Sequence, residues 1–235
     1  MPPWSWSAGR GASGGEHMFV FGYSGPTMVA RQGSLFDQGE TVQPRAGASC
    51  MARTDLGQGA WVDVRRDWLT GADALFDRLF HAVEWRAERR AMYDRMVDVP
   101  RLMHFYDVGE SLPDPALDQV REELTDQYRH EVGGPFCTAG LCLYRDGRDS
   151  VAWHGDRIGR GATHDTLVAI ISLGSPRRML LRPRRGGRAR RYELGHGDLL
   201  VMGGSCQRTW DHAIPKTSQP VGPRISIQFR PHRVR

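Results

Sequence analysis

The sequence predicts a mainly β fold, of the α+β kind, with two helices in front, and three observations point to it. Downstream of Phe136, short apolar runs recur at roughly 8 to 12 residues with turn residues between them. Upstream, two stretches repeat their apolar residues at helical spacing. The last run, Arg224 to Arg230, alternates strictly between polar and apolar side chains, the pattern of a strand whose two faces meet different surroundings.

The chain has 235 residues, 25% charged and 40% hydrophobic, an ordinary globular composition that excludes disorder throughout. No window approaches the ~18 consecutive apolar residues of a membrane span, and the first residues lack the apolar core of a signal peptide. The expectation is a cytoplasmic monomer with no membrane partner. The four cysteines form no C-x-x-C pair and read as reduced thiols.

Residues 1 to 55 are rich in Gly, Ser, Pro and Gln and read as a loosely ordered lead-in, within which Met18 is a candidate start. A domain is expected over 56 to 235. Its first strand is Ala60 to Val64. Thr70 is the candidate cap of a helix carrying Leu75, Phe76, Leu79, Phe80 and Val83 on one face. A second helix is expected from Pro113, with Leu117, Val120, Leu124 and Tyr128 on one face and its end at Gly133-Gly134. The strands that follow are Leu141 to Tyr144, Val151 to Trp153, Leu167 to Leu173, Met179 to Leu181, Tyr192 to Leu194, Leu199 to Met202 and Ile225 to Phe229. They suggest a sandwich or barrel with both helices packed on one outer face.

Among nine histidines, spacing singles out His154. It follows an apolar run in His154-Gly155-Asp156, so an extended backbone sets His154 and Asp156 on one face. His212, placed just after a predicted strand, completes two histidines and one carboxylate, the facial triad of non-haem Fe(II) oxygenases, which leaves coordination positions open for a 2-oxo acid and dioxygen. A second H-x-D, His196-Gly197-Asp198, is flanked by glycines and reads as a tight turn. His164-Asp165 reads as surface loop. In the final strand, Arg224, Ser226, Gln228 and Arg230 share a face. Its two arginines, with planar forks suited to carboxylates, are placed to grip both ends of a five-carbon diacid.

Net charge is +5, and of 32 basic residues only Lys216 is lysine. Eight arginines lie between Arg177 and Arg191 around Gly186-Gly187, among them Arg182, Arg184, Arg185, Arg188 and Arg190, with no acid among this group. They read as a cationic hairpin able to neutralise phosphates.

Taken together, these residues resemble the AlkB-type Fe(II)- and 2-oxoglutarate-dependent dioxygenases, which repair alkylated nucleic-acid bases. The resemblance runs from about Leu56 to His232 and rests on Leu143-Tyr144-Arg145, Asp149-Ser150-Val151, Trp153 to Asp156, Ile171 to Gly174, Gly197 to Met202, Asp211 to Pro215 and Arg224 to Arg230. Ser34-Leu35-Phe36 also has the look of these proteins. The resemblance implies a double-stranded β-helix, or jelly roll. It implies iron on His154, Asp156 and His212, the distal carboxylate of 2-oxoglutarate on Arg224, its other carboxylate on Arg230, and further cosubstrate contacts from Tyr144 and Ser226. Three departures stand out: Cys142 and Ser226 replace asparagines common in the family, and Gln228 replaces a threonine. Arg157 and Ile158 stand where repair enzymes often carry acids.

The segment at about 84 to 110 resembles the family's nucleotide-recognition lid, through Glu84-Trp85, Pro100-Arg101-Leu102 and Phe105-Tyr106. Trp85, Tyr93, His104 and Phe105 are candidate stacking platforms, with Trp85 and Tyr93 preferred, and Arg101, Arg157, Arg184, Arg185 and Arg188 are candidate substrate contacts. The implied reaction is oxidative demethylation of N-alkylated bases in single-stranded DNA or RNA, with Fe(II), 2-oxoglutarate and dioxygen, yielding formaldehyde, succinate and carbon dioxide. The alternatives are the same chemistry on a protein or small molecule, and a non-catalytic jelly roll that binds nucleic acid.

Overall fold

The apolar runs of the second half pair into two antiparallel sheets. The computed structural model describes residues 41–45, 52–92, 95–131 and 134–234, all within one unit, Gln32–Arg235. The elements run β1 (Gln43–Pro44), β2 (Ala52–Gly57), β3 (Ala60–Arg65), β4 (Leu69–Thr70), α1 (Ala72–Ala82), β5 (Arg86–Met92), β6 (Arg95–Tyr106) and α2 (Pro115–Gln127). They continue with β7 (Phe136–Tyr144), β8 (Val151–His154), β9 (Val168–Gly174), β10 (Arg177–Pro183), β11 (Arg190–Leu194), β12 (Asp198–Gly204), α3 (Cys206–Thr209), β13 (Trp210–Ile214) and β14 (Arg224–Pro231).

The larger sheet has the order β2-β3-β12-β9-β14-β7-β6-β5 and the smaller β11-β10-β13-β8. From β7 onward the chain crosses between sheets at every step except the β10–β11 hairpin, which is the winding of a jelly roll. Every strand read from an apolar run lies in one of these sheets.

Strand alternation builds two apolar layers. On β14, Ile225, Ile227 and Phe229 face α1 and α2 and join a core with Leu75, Leu79, Leu117, Val120, Leu124, Leu141, Ile171 and Leu173. The opposite face of the same sheet, through Cys142, Tyr144, Ile170 and Leu200, meets Met179, Leu181, Trp210 and Ile214 of the smaller sheet. The helices are therefore outer supports, and the polar residues of β14 look into the space between the sheets.

Several boundaries differ from expectation for local reasons. Thr70 belongs to β4, and its hydroxyl donates to the carbonyls of Thr41 and Gln43, so Gly71 precedes α1 without a side-chain cap. The second helix begins at Pro115, where the Asp114 carboxylate accepts from the Ala116 amide at 2.9 Å. It ends at Gln127, because Tyr128 has left helical geometry (φ −107°, ψ 15°); Gly133 lies outside the described residues. β1 pairs with β4 and Val42 is buried, so residues 41–45 belong to the domain although the lead-in was expected to run to 55. Met18 and Ser34-Leu35-Phe36 lie outside the described residues.

β5 and β6 form a hairpin in the segment that resembles a lid. The composition of Arg86–Met92 favours no strand; it is one because it pairs with β6, which in turn pairs with the edge of β7, Leu102 opposite Leu143 and Tyr106 opposite Ala139.

One ion pair ties β2 and β3 to the end of α2. The buried Asp63 carboxylate accepts two hydrogen bonds from Arg53, at 2.9 and 2.8 Å, and one from the Tyr128 hydroxyl at 3.2 Å. Arg53 lies 3.6 Å from the ring centroid of Trp61, which stacks on Tyr128. Asp63→Ala is expected to cost about 1–3 kcal/mol, because the phenol loses its buried acceptor while the half-exposed arginine regains water. Chemical denaturation measures this as a lower midpoint at unchanged m value.

Candidate metal centre

His154 ends β8 and His212 sits within β13, directly opposite it across the ladder, rather than after the strand as its sequence context suggested. The imidazole rings are 4.2 Å apart at 52°. Asp156 follows two residues on, with its carboxylate 3.9 Å from His154 Nε2. One ligand atom from each of the three residues lies within 4.8 Å of the others, the spacing of a single metal ion. His154 Nδ1 contacts the Ala152 carbonyl at 2.8 Å, which leaves Nε2 toward the cluster.

The backbone between the ligands is held from α3. The Asp156 amide donates to Gln207 Oε1 at 2.9 Å. A Cβ on Gly155 would stand 2.7 Å from the Gln207 carbonyl oxygen and 3.2 Å from that of Trp210, so only glycine fits between the two ligands. Gly155→Ala is expected to displace Asp156 and weaken Mn(II) binding by roughly tenfold. Calorimetric titration checks this, and unchanged affinity would show that the backbone yields elsewhere.

Protonation suits a divalent cation. Burial alone raises the Asp156 carboxyl, yet the Arg230 guanidinium, 2.7 Å away, and the two imidazoles outweigh it and hold the group at about 2. Burial, with His154 adding to it, lowers His212 to about 3. At neutral pH the cluster therefore offers a carboxylate and a neutral imidazole with no proton to displace.

Across the floor, Gly140, Cys142 and Tyr144 of β7 stand opposite Gln228, Ser226 and Arg224 of β14. Arg224 is 1% exposed; its Nε donates to Ser172 Oγ at 2.9 Å, while both terminal nitrogens are buried without a hydrogen-bond partner. Buried guanidinium donors with hydrogen-bonding capacity to spare fit a carboxylate ligand. Tyr144 lies beside it, 5.2 Å from ring centroid to guanidinium carbon, and burial pushes its phenol up to about 12. Arg177, also buried, donates to the carbonyls of Asp146, Asp149 and Pro215 and so closes this end of the space. The three departures adjoin one another: Gln228 donates to Ser226 Oγ at 2.7 Å, and the Cys142 thiol lies 3.7 Å from Gln228 Oε1.

The rival motifs are structural. His196 Nδ1 accepts from the Gly174 amide at 2.9 Å, and Asp198 accepts from the amides of Gly195 and Asp67. His164 is exposed in its loop and contacts Thr163.

The expected substrate contacts are redistributed. Trp85 packs half-buried on the helix-side core, and its indole donates to the Phe80 carbonyl at 3.1 Å. Tyr93 lies outside the described residues. His104 stacks on Tyr106. Phe105 is exposed on the other face of β6, near Arg230 and Gln228 where they overlie Gly140. Arg101 turns inward, donating to the Ser150 carbonyl at 3.2 Å.

The arginine cluster also has acids facing it, because strand register brings Glu193 opposite Arg178 and Asp211 opposite Arg182. Glu193 pairs with Arg178 and Arg191, and Asp211 with Arg157, Arg182 and Arg184. Arg185 and Arg188 are exposed with no ion pair among the described residues. Sequence reasoning missed Gln207, Arg177 and Asp211 as partners of the site, since each acts through a contact across the fold. Gly155 and Asp211 lie inside the sequence motifs, but the contact partner of neither is visible from those motifs.

Comparison with known proteins agrees with this geometry. Residues 70–230 match the model of the 2OG-Fe(II) oxygenase superfamily. The chain is 31% identical to the alpha-ketoglutarate-dependent dioxygenase alkB homolog 3 of Bos taurus, over 69% of this chain and 62% of that protein. It is 29% identical to the same protein of Homo sapiens, over 72% and 63%, and 27% identical to the DNA oxidative demethylase ALKBH2 of Mus musculus, over 82% and 90%. The chain thus spans about three-fifths of the length of these alkB homolog 3 relatives. The family implies Fe(II), 2-oxoglutarate and dioxygen, and the ligand triad and the waiting Arg224 are what such a set requires. With its fold, its triad and these relatives in agreement, the chain belongs to the 2OG-Fe(II) oxygenase superfamily, as an AlkB-type member.

Proposed function

We propose that this chain removes alkyl groups oxidatively from the bases of single-stranded DNA or RNA, acting as a monomer. The observation that carries the reading is one juxtaposition: the metal triad and the arginine-rich β10–β11 hairpin share one end of the smaller sheet. Arg184 bonds through its backbone amide to the Thr209 carbonyl, and Pro183 pairs with Trp210, two residues before His212. The names of the relatives, a DNA oxidative demethylase among them, support it.

In this reading His154, Asp156 and His212 hold Fe(II), which, when bound with 2-oxoglutarate and dioxygen, supplies the oxidation of the alkyl carbon. Arg224 takes the distal carboxylate of the cosubstrate, with Tyr144 and Ser226 alongside it on the floor, and Arg230 takes the carboxylate nearer the metal. Arg230 also keeps Asp156 ionised. Apolar side chains of the smaller sheet exclude water. Phe105 offers a stacking face to a base, which leaves a duplex only by flipping. Arg157, Arg184, Arg185 and Arg188 neutralise phosphates. N-demethylation through a hydroxylated methyl carbon releases formaldehyde, alongside succinate and carbon dioxide.

The test is anaerobic reconstitution with Fe(II) and 2-oxoglutarate, then air and a single-stranded oligonucleotide bearing 1-methyladenine or 3-methylcytosine, with the oligonucleotide weighed by mass spectrometry. Loss of one methylene mass that requires 2-oxoglutarate is expected. Succinate without mass loss would redirect the chemistry to a protein or small molecule, and neither product would leave a binding module.

A further inference from the structure

At the rim of the smaller sheet one carboxylate faces three guanidiniums. Asp211 precedes the ligand His212 and Arg157 follows the ligand Asp156; in space Asp211 meets Arg157 at 3.6 Å, Arg182 at 3.7 Å and Arg184 at 3.7 Å. These separations are ion-pair contacts longer than hydrogen bonds, and Asp211 Oδ1 is buried with no hydrogen-bond partner. Three positive charges against one negative leave a surplus of two. The arginine side chains are 33%, 47% and 46% exposed, so the surplus faces solvent. Arg182 lies over the Trp153 ring, 4.3 Å from its centroid, which restricts its plane. Among the described residues, neither Arg157 nor Arg182 spends its guanidinium on a hydrogen bond.

We infer that this cluster seats a phosphodiester of the substrate strand and that Asp211 is the internal anion with which it competes. The inference rests on the nucleic-acid reading above. The carboxylate holds the three arginines together in the free protein, so little mutual repulsion or side-chain entropy is left to overcome on binding. It cannot satisfy their N–H donors, which the two unbridged oxygens of a phosphodiester do. Asp211 therefore preorganises the seat and lowers its affinity. The resulting expectation has an unusual sign, since removing a residue of the site tightens binding.

The experiment uses the full chain and a fluorescein-labelled, unmodified oligothymidylate, with anisotropy followed across salt concentrations. Asp211→Asn is expected to bind roughly three- to tenfold tighter than wild type at low salt. The gain should vanish when Arg157 and Arg182 are glutamine. Glu123→Gln makes the same change in net charge at an exposed position on α2 and should produce no comparable gain. An Asp211→Asn variant that binds no tighter than Glu123→Gln overturns the inference. Should Asp211→Asn fail to fold, the Arg157→Gln and Arg182→Gln variants decide: each should reduce the salt slope by about one, and an unchanged slope overturns the seat. Failure of wild type to bind at all at low salt would instead sink the nucleic-acid reading itself.

Discussion

Asp156→Ala is expected to abolish succinate formation and metal binding together. Three ligand atoms converge within 4.8 Å, and without the carboxylate two imidazoles remain to hold an ion that favours oxygen as well as nitrogen ligands. The variant also strips Arg230 of the partner that its Nε contacts at 2.7 Å. The liberated guanidinium adds positive charge where a cation must sit. Calorimetric titration with Mn(II) and a succinate assay check both losses, and thermal denaturation without metal checks the fold. Succinate production at a wild-type rate would remove Asp156 from the triad.

Arg224→Met is expected to separate cosubstrate binding from stability. The two terminal nitrogens of Arg224 are buried and unpaired, and burial lowers the guanidinium's pKa. A bidentate carboxylate would recover those donors, so losing it should cost about 3 kcal/mol, roughly a hundredfold in the Kd for 2-oxoglutarate measured with Mn(II) present. The cosubstrate-free variant should melt no lower than wild type, and higher if methionine packs well, because a buried guanidinium with no carboxylate beside it has been removed at the loss of one hydrogen bond to Ser172. Wild type should gain thermal stability on adding 2-oxoglutarate with Mn(II), while the variant should gain little. A variant that melts several degrees lower without cosubstrate yet binds it normally would make Arg224 a structural residue only.

Much of the architecture was legible because period is a local property. The strict alternation of Arg224 to Arg230 put its polar and apolar residues on opposite faces, and the structure has Ile225, Ile227 and Phe229 in the helix-side core with Arg224 and Ser226 in the β7 register across the floor of the site. The two H-x-D motifs were distinguishable for the same reason, since an apolar strand leads into His154 while glycines surround His196. The hairpin of β5 and β6 was not legible: a charged segment such as Arg86–Met92 becomes a strand only by pairing with β6, which is itself held on the edge of β7.

The sequence by itself determined which residues alternate on β14, which histidines stand beside carboxylates, and that arginine dominates the charge. These follow from covalent order, because side-chain direction in a strand repeats every two residues. Tertiary structure alone decided who meets whom across the chain. It packed Trp85 on the helix-side core, joined Gln207 to the Asp156 amide, paired Arg230 with Asp156, and set Asp211 among Arg157, Arg182 and Arg184. The physical reason is that register between distant strands and burial in a common interior join residues with no sequence neighbourhood, and charge acts through that space.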